Sequence, residues 1–219
     1  LDFEVTGKES VIAELEVARA YWYYILCEAF GNVPIVDRFD VPEGFLPETS
    51  SREEVFAFIE NSIKNNVDKL RDDTKTYYGR FNKWNAKMLL ARLYLNAESW
   101  IGKNMYTECM ALCTEIMNSN KYALENDYSA PFYAQNEGSQ EIIFAYPADE
   151  VKTGSTIYMA LQKTLHPSNV KTFNLQTWLD NGVCAVPTLI DTYEEGDKRL
   201  PTTWRMGQQY GSDGSILYC

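Results

Sequence analysis

The chain is short of positive charge. Its 20 Lys and Arg stand against 31 Asp and Glu, a net charge of −11 over 219 residues. Nucleic-acid binding rests on neutralising phosphates with basic side chains, so that class of partner is excluded, and adhesion to anionic lipid is disfavoured. There is one histidine, His166. Any Ser-His-Asp or Cys-His device would have to use it. It lies in "TLHPSN", a polar stretch followed by proline, and reads as a surface-loop residue. No glycine-rich loop is placed to cradle a phosphate. No apolar run reaches the ~18 residues of a membrane-spanning helix. No leader is visible, residue 1 is Leu, and "LDFEVTGKES" runs straight into a helical pattern, so the chain reads as a piece of something longer. The five cysteines are odd in number and the chain is not small, which argues against a disulfide framework. Cys109 and Cys113 are one helical turn apart, but no further Cys or His pair completes a zinc site, and they read as buried thiols.

Hydrophobic residues make up 45% of the chain and aromatic ones 14%, enough for a core. The densest aromatic stretch is "ARAYWYYILCEAF", residues 18–30, within a helix expected over 9–30 and stopped by Gly31, Asn32 and Pro34. Tyr23, Leu26, Cys27 and Phe30 share one face of it. Trp22, Ile25 and Ala29 share the next, and Tyr21 and Tyr24 fill much of the remainder. A helix apolar nearly all round is expected to be buried. Residues 35–50 hold two prolines, a glycine and no helical period, and read as a loop. A second helix follows Ser51, which forms a capping box with Glu54, and carries Val55, Phe58, Ile59, Ile63, Val67 and Leu70 at helical spacing. Residues 82–99 and 105–119 give two more helices. The short connector between them predicts an antiparallel hairpin. Beyond residue 125 the texture changes: "EIIFAY" (141–146) suggests a strand, residues 147–182 are rich in Thr, Ser, Asn, Gly and Pro, "PTLIDTYEEGDKRL" suggests a brief helix or turn, and "GQQYGSDGS" reads as flexible.

Two helix–loop–helix pairs in tandem suggest tetratricopeptide-like units, although the insertion in the first pair breaks the ~34-residue period. The stretches "ARAYWYYILCEAFGNVPIV", "SSREEVFAFIENSI", "GRFNKWNAKMLLARLYLNAESW", "NKYALENDYSAPFY", "SQEIIFAY" and "TYEEGDKRL" resemble, in order, six segments of the SusD/RagB family of outer-membrane glycan-binding lipoproteins. The resemblance implies a mostly α fold: tetratricopeptide-like helix pairs (a SusD-like α/α superhelix) with a loop-rich glycan-binding portion. It implies one SusD-like domain over 1–219, incomplete at both ends, with residues 1–125 as scaffold and 126–219 as the loop-rich part. It also implies a lipid-anchored protein on the outer face of the outer membrane. Such a protein is not an enzyme, and it delivers oligosaccharide to a SusC-like TonB-dependent transporter for nutrient uptake.

A sugar site needs exposed aromatic faces for the C–H patches of the rings, and planar polar groups for the hydroxyls. On that chemistry the candidates are Tyr158, Asn169, Asn174 and Trp178 in the polar segment, and Trp204 with Arg205 in "TTWRMG". Trp100, at a helix end, reads as packing. No catalytic residue and no cofactor is expected. Some family members hold calcium, and Asp149 is the only oxygen ligand suggested here, without a motif. Two alternatives stand beside this reading. One is a helical-repeat scaffold that binds protein and no sugar. The other is a glycan hydrolase, for which Glu141 and Asp197 are the carboxylates to watch.

Overall fold

The computed structural model describes residues 6–76, 78–147, 159–210 and 213–217. It is mostly helical, as the sequence predicts. The chain divides into two compact units, one taking residues up to Glu125 together with Gln135–Tyr146, the other Asn126–Ala134 together with residues from Pro147 onward.

The first unit contains four long helices: α1 (Lys8–Phe30), α2 (Arg52–Lys64), α3 (Lys83–Ile101) and α4 (Tyr106–Asn118). Helix α1 packs on α2, α2 on α3 and α3 on α4, so two helix pairs stand side by side. Local chemistry sets the ends. Ser51 and Glu54 form the expected capping box at the start of α2. Asn82 and Asn85 form a second one at the start of α3, where the Asn82 side chain accepts from the amides of Trp84 and Asn85. At the end of α3, Gly102 takes a left-handed conformation, φ 68°. The Gly102 amide then bonds back to the Glu98 carbonyl at 3.1 Å, an αL closure, and the Lys103 amide reaches the Ala97 carbonyl at 3.4 Å.

The core is one face of α1 (Ala13, Val17, Ala20, Tyr24, Cys27) set against Val55, Ile59 and Ile63 of α2 and Ala86, Leu93 and Ala97 of α3, every one fully buried. The rest of α1 departs from the sequence expectation. Trp22 is 57% exposed and Phe30 72%, and Leu15 and Leu26 are exposed as well. The described neighbours pack against one side of this helix only, so its apolar outer stripe faces solvent. On its flank, Tyr21 stands 5.6–5.8 Å from the rings of Phe81, Phe144 and Tyr146. Residues 141–146, expected as a strand, form no ladder. Phe144 instead stacks on Phe81 at 4.7 Å. Cys27 is buried, whereas Cys109 and Cys113 are half-buried rather than fully so.

The exit of α1 is tied down by several contacts. The Gly31 amide bonds to the Cys27 carbonyl, with φ 74° at Gly31. The Val36 amide donates to the Tyr23 hydroxyl at 2.7 Å. Asn32 Oδ1 accepts from the Arg52 amide at 2.8 Å. A short antiparallel ladder, β1 (Val33–Pro34) with β2 (Thr49–Ser50), closes the insertion between them. The guanidinium of Arg52 lies directly over Gly31. A Cβ at position 31 would sit 2.7 Å from Arg52 Nη2.

Between α2 and α3 a 3₁₀ turn (Val67–Lys69) leads to a group of tethered carboxylates. Lys83 holds Asp68 below the usual carboxylate range, and Lys121 does the same for Asp72. The Thr76 side chain, with the amides of Lys75 and Thr76, takes Asp73 down to about 2 from an ordinary 3.8. A carboxyl whose pKa falls on folding stabilises the fold above its unfolded value and loses that contribution as pH drops through the folded one. Thermal unfolding at graded pH should therefore show a midpoint that is flat from about pH 7 to 5 and falls between about pH 4 and 2. Asp73→Asn should make that fall shallower.

The second unit is built from short elements: a 3₁₀ turn (Ala130–Phe132), α5 (Met159–Thr164), α6 (Asn169–Thr172), α7 (Pro187–Ile190) and α8 (Arg199–Thr203). Within the segment expected to be flexible, β3 (Gln209–Tyr210) pairs antiparallel with β4 (Ile216–Leu217) just beyond it.

Candidate functional site

The second unit carries the polar, ring-bearing surface. Backbone bonds from Asp180, Asn181 and Val183 to the carbonyls of Gln162, Leu165 and Lys163 tie the 180–183 segment to α5 and the residues after it. Leu179 is buried beneath, and Trp178 is left 55% exposed. The Lys163 ammonium lies 5.6 Å from the Trp178 ring centroid and pairs with Asp180. One ring face is thus partly occupied by a cation.

The other predicted residues lie in different settings. Asn169 is only 3% exposed, and its Oδ1 is buried with no partner among the described residues. Asn174 is exposed and held at φ 50°, beside Phe173. The Arg205 guanidinium covers Phe173 at 4.9 Å and bonds Gln209 Oε1. Trp204 is half-buried, its indole N–H donating to the Tyr193 hydroxyl at 3.0 Å. Arg205 next to Trp204, and Asn174 next to the covered Phe173, therefore form one neighbourhood. Trp178 belongs to a separate one on α5. Tyr158 and Asp149 lie outside the described residues.

The two carboxylates considered for hydrolysis are both engaged. Asp197 accepts from the Arg199 amide and guanidinium, which lower its pKa. Glu141 accepts from the Glu125 amide at 3.0 Å. His166 is half-buried, its Nδ1 2.8 Å from Ser168 Oγ. Among the described residues no group of three His, Cys, Asp or Glu side chains is placed to hold a metal ion.

One further group of rings was not among the sequence candidates. Tyr128, Phe132 and Tyr133 present three exposed rings within six residues, with Phe132 72% exposed. With Ser129, Thr202 and Thr203 they line a cleft of about 390 Å³. The turn that carries them is held by Asp127, whose carboxylate accepts from the Ser129 amide at 2.9 Å and the Tyr133 hydroxyl at 2.8 Å. Those two donors keep the Asp127 carboxyl below its ordinary range, and the same carboxylate pushes the Tyr133 phenol up. A signal was present: "NDYSAPFY" combines turn formers with rings, a pattern that puts aromatics on a bend and not in a core.

Residues 4–95 match the family model described as "Starch-binding associating with outer membrane". The chain is similar to the starch-binding protein SusD of Bacteroides thetaiotaomicron, 30% identical over 156 residues, which is 67% of this chain and 27% of that protein. It spans about a quarter of the length of the curated relatives it matches. Its fold resembles a SusD superfamily protein of Bacteroides fragilis (TM-score 0.71, 18% identity, 97% of this chain and 48% of the other). It also resembles surface glycan-binding protein A of Bacteroides fluxus (TM-score 0.69, 22% identity, 92% and 44%). Over residues 4–95 the chain carries the sequence of the SusD-like family, and over nearly its whole length it shares the fold of a SusD superfamily structure.

Proposed function

We propose that the chain is part of a cell-surface glycan-binding protein. It captures oligo- or polysaccharide outside the outer membrane and passes it to a SusC-like TonB-dependent transporter. The observation that carries this reading is the concentration of exposed rings with fixed polar neighbours in the second unit (Tyr128, Phe132, Tyr133, Trp178), in a chain whose residues 4–95 match a family described as starch-binding. Binding without chemistry fits the candidate carboxylates, which are committed to structural bonds. Attachment to the membrane would come through a lipid anchor on sequence outside these 219 residues.

Affinity electrophoresis through gels containing starch, laminarin, mannan or levan tests it, with a parallel assay for reducing ends. Retardation by at least one glycan with no released ends is the expected result. Release of reducing ends would replace the reading with a hydrolase. Trp178→Ala should weaken binding by roughly 1–3 kcal/mol, the usual scale for a central aromatic contact. Unchanged mobility would remove Trp178 from the site.

A second reading, docking of protein rather than sugar, draws on the exposed outer stripe of α1, Leu15, Trp22, Leu26 and Phe30. Migration unaffected by every glycan would favour it.

A further inference from the structure

The cleft in the second unit has a chemistry of its own. One wall is the 127–133 turn, the other is α8. The turn is braced: besides the two bonds to Asp127, the Phe132 amide donates to the Ser129 carbonyl at 2.9 Å, and Pro131 fixes its own backbone angle within the 3₁₀ turn. The exposure of its rings is therefore built into a held conformation. Tyr128 and Phe132 stand 5.5 Å apart at an interplanar angle of 52°, a bent apolar wall and not a flat one. Thr202 and Thr203 face them from α8, and the Thr202 hydroxyl donates to the Lys198 carbonyl at 2.8 Å, which fixes its rotamer.

All six lining residues are uncharged. Because Tyr133 gives its proton to Asp127, its oxygen meets a ligand as an acceptor. Ser129, Thr202 and Thr203 add hydroxyl oxygens on both walls. A ligand that satisfies this set has an apolar face, several O–H donors and no net charge. An anionic group would meet the opposite: the Asp127 carboxylate lies one hydrogen bond behind Tyr133, and the Arg199 guanidinium on α8 is already held by both oxygens of Asp197. At about 390 Å³ the space lies at the small end of the ~300–1,000 Å³ typical of small-molecule sites.

We infer that this cleft is a subsite for one uncharged sugar ring, and that it discriminates against uronate or sulfated units. The inference rests on the glycan-binding reading and goes beyond it by naming the residues and the ligand charge. The ring lies against Tyr128 and Phe132, and its hydroxyls donate to Tyr133 Oη and to the threonine oxygens opposite.

Titration calorimetry of the 219-residue chain with maltohexaose, laminarihexaose, mannohexaose, levan oligomers and a galacturonate oligomer decides it. At least one neutral oligomer should bind, and the galacturonate should bind at least tenfold more weakly. Phe132→Ala should reduce the neutral affinity about tenfold. That side chain is largely in solvent, so circular dichroism should show the fold unchanged. Asp127→Asn should narrow the gap between neutral and acidic oligomers. Neutral binding within twofold of wild type in both Phe132→Ala and Tyr128→Ala would overturn the subsite while leaving the glycan-binding reading in place. Galacturonate bound as tightly as the neutral oligomers would overturn the charge selection. No binding by any oligomer would remove the reading and the inference together.

Discussion

Replacing Tyr24 by Ala should destabilise the chain by about 3–5 kcal/mol, the cost of deleting a buried aromatic ring. Tyr24 is fully buried in the middle of α1. Its ring lies 5.4 Å from Trp100 and under the Arg92 guanidinium at 5.1 Å, and Asn96 Nδ2 is 3.4 Å from its hydroxyl, so a single side chain joins α1 to the C-terminal half of α3. Domains are stable by only about 5–15 kcal/mol, so the loss is a large share of the total. At this chain length it corresponds to a fall of about 6–20 °C in melting midpoint. Urea unfolding followed by circular dichroism measures it. Tyr24→Phe keeps the ring and removes only the hydroxyl, and should cost about 1 kcal/mol. If the two variants lose equal stability, the ring does not anchor the helix. The long, weak hydrogen bonds at the hydroxyl make that outcome incompatible with the packing described.

Glu14→Ala should be the next most damaging change, at about 3 kcal/mol. The Glu14 side chain is 10% exposed and receives two bonds from Arg80, one of them 2.6 Å from Nη2, with Arg71 Nη1 at 3.8 Å from the same carboxylate. Removing one member of a buried pair leaves the other charge without compensation, typically a loss of about 3–5 kcal/mol. Arg80 reaches solvent on its outer side, which puts the expected value at the low end. The exposed pair Lys103–Glu53 supplies the contrast, since Glu53→Ala should cost under about 1 kcal/mol. The two also separate by salt: the Glu53 effect should shrink in 1 M NaCl, while the Glu14 effect persists. Equal, salt-sensitive losses would place Glu14 among ordinary surface charges.

The helical half of the molecule was legible in the sequence because its signals are local. Ser51 with Glu54, and the apolar spacing of Val55, Ile59 and Ile63, need only their own helix to be read, and the structure reproduces them. The prediction for α1 went wrong over Trp22 and Phe30 because burial depends on what packs alongside, which no helical period records. "EIIFAY" has strand composition, yet Phe144 found a ring to stack on and residues 141–146 found no strand to pair with. The cleft was least legible of all. Its two walls are separated by some seventy positions in the chain, and nothing in "NDYSAPFY" or in "LPTTW" points to the other. Each sequence candidate has suitable chemistry by itself, and that chemistry does not record its burial. Asn169 satisfies that chemistry on paper but has its side chain buried.

The seat of Arg52 over Gly31 has an evolutionary consequence. The two positions are twenty-one apart in sequence and share one volume. A side chain at position 31 meets two separate obstacles: the guanidinium already there, and a backbone angle of +74° that L-residues rarely adopt. The first obstacle vanishes if residue 52 is shortened beforehand, and the second does not. The order of mutation therefore matters only in one direction: Gly31 places no limit on shortening Arg52, whose guanidinium also lies 5.8 Å from the Trp100 ring centroid, whereas Gly31 is held whatever residue 52 becomes.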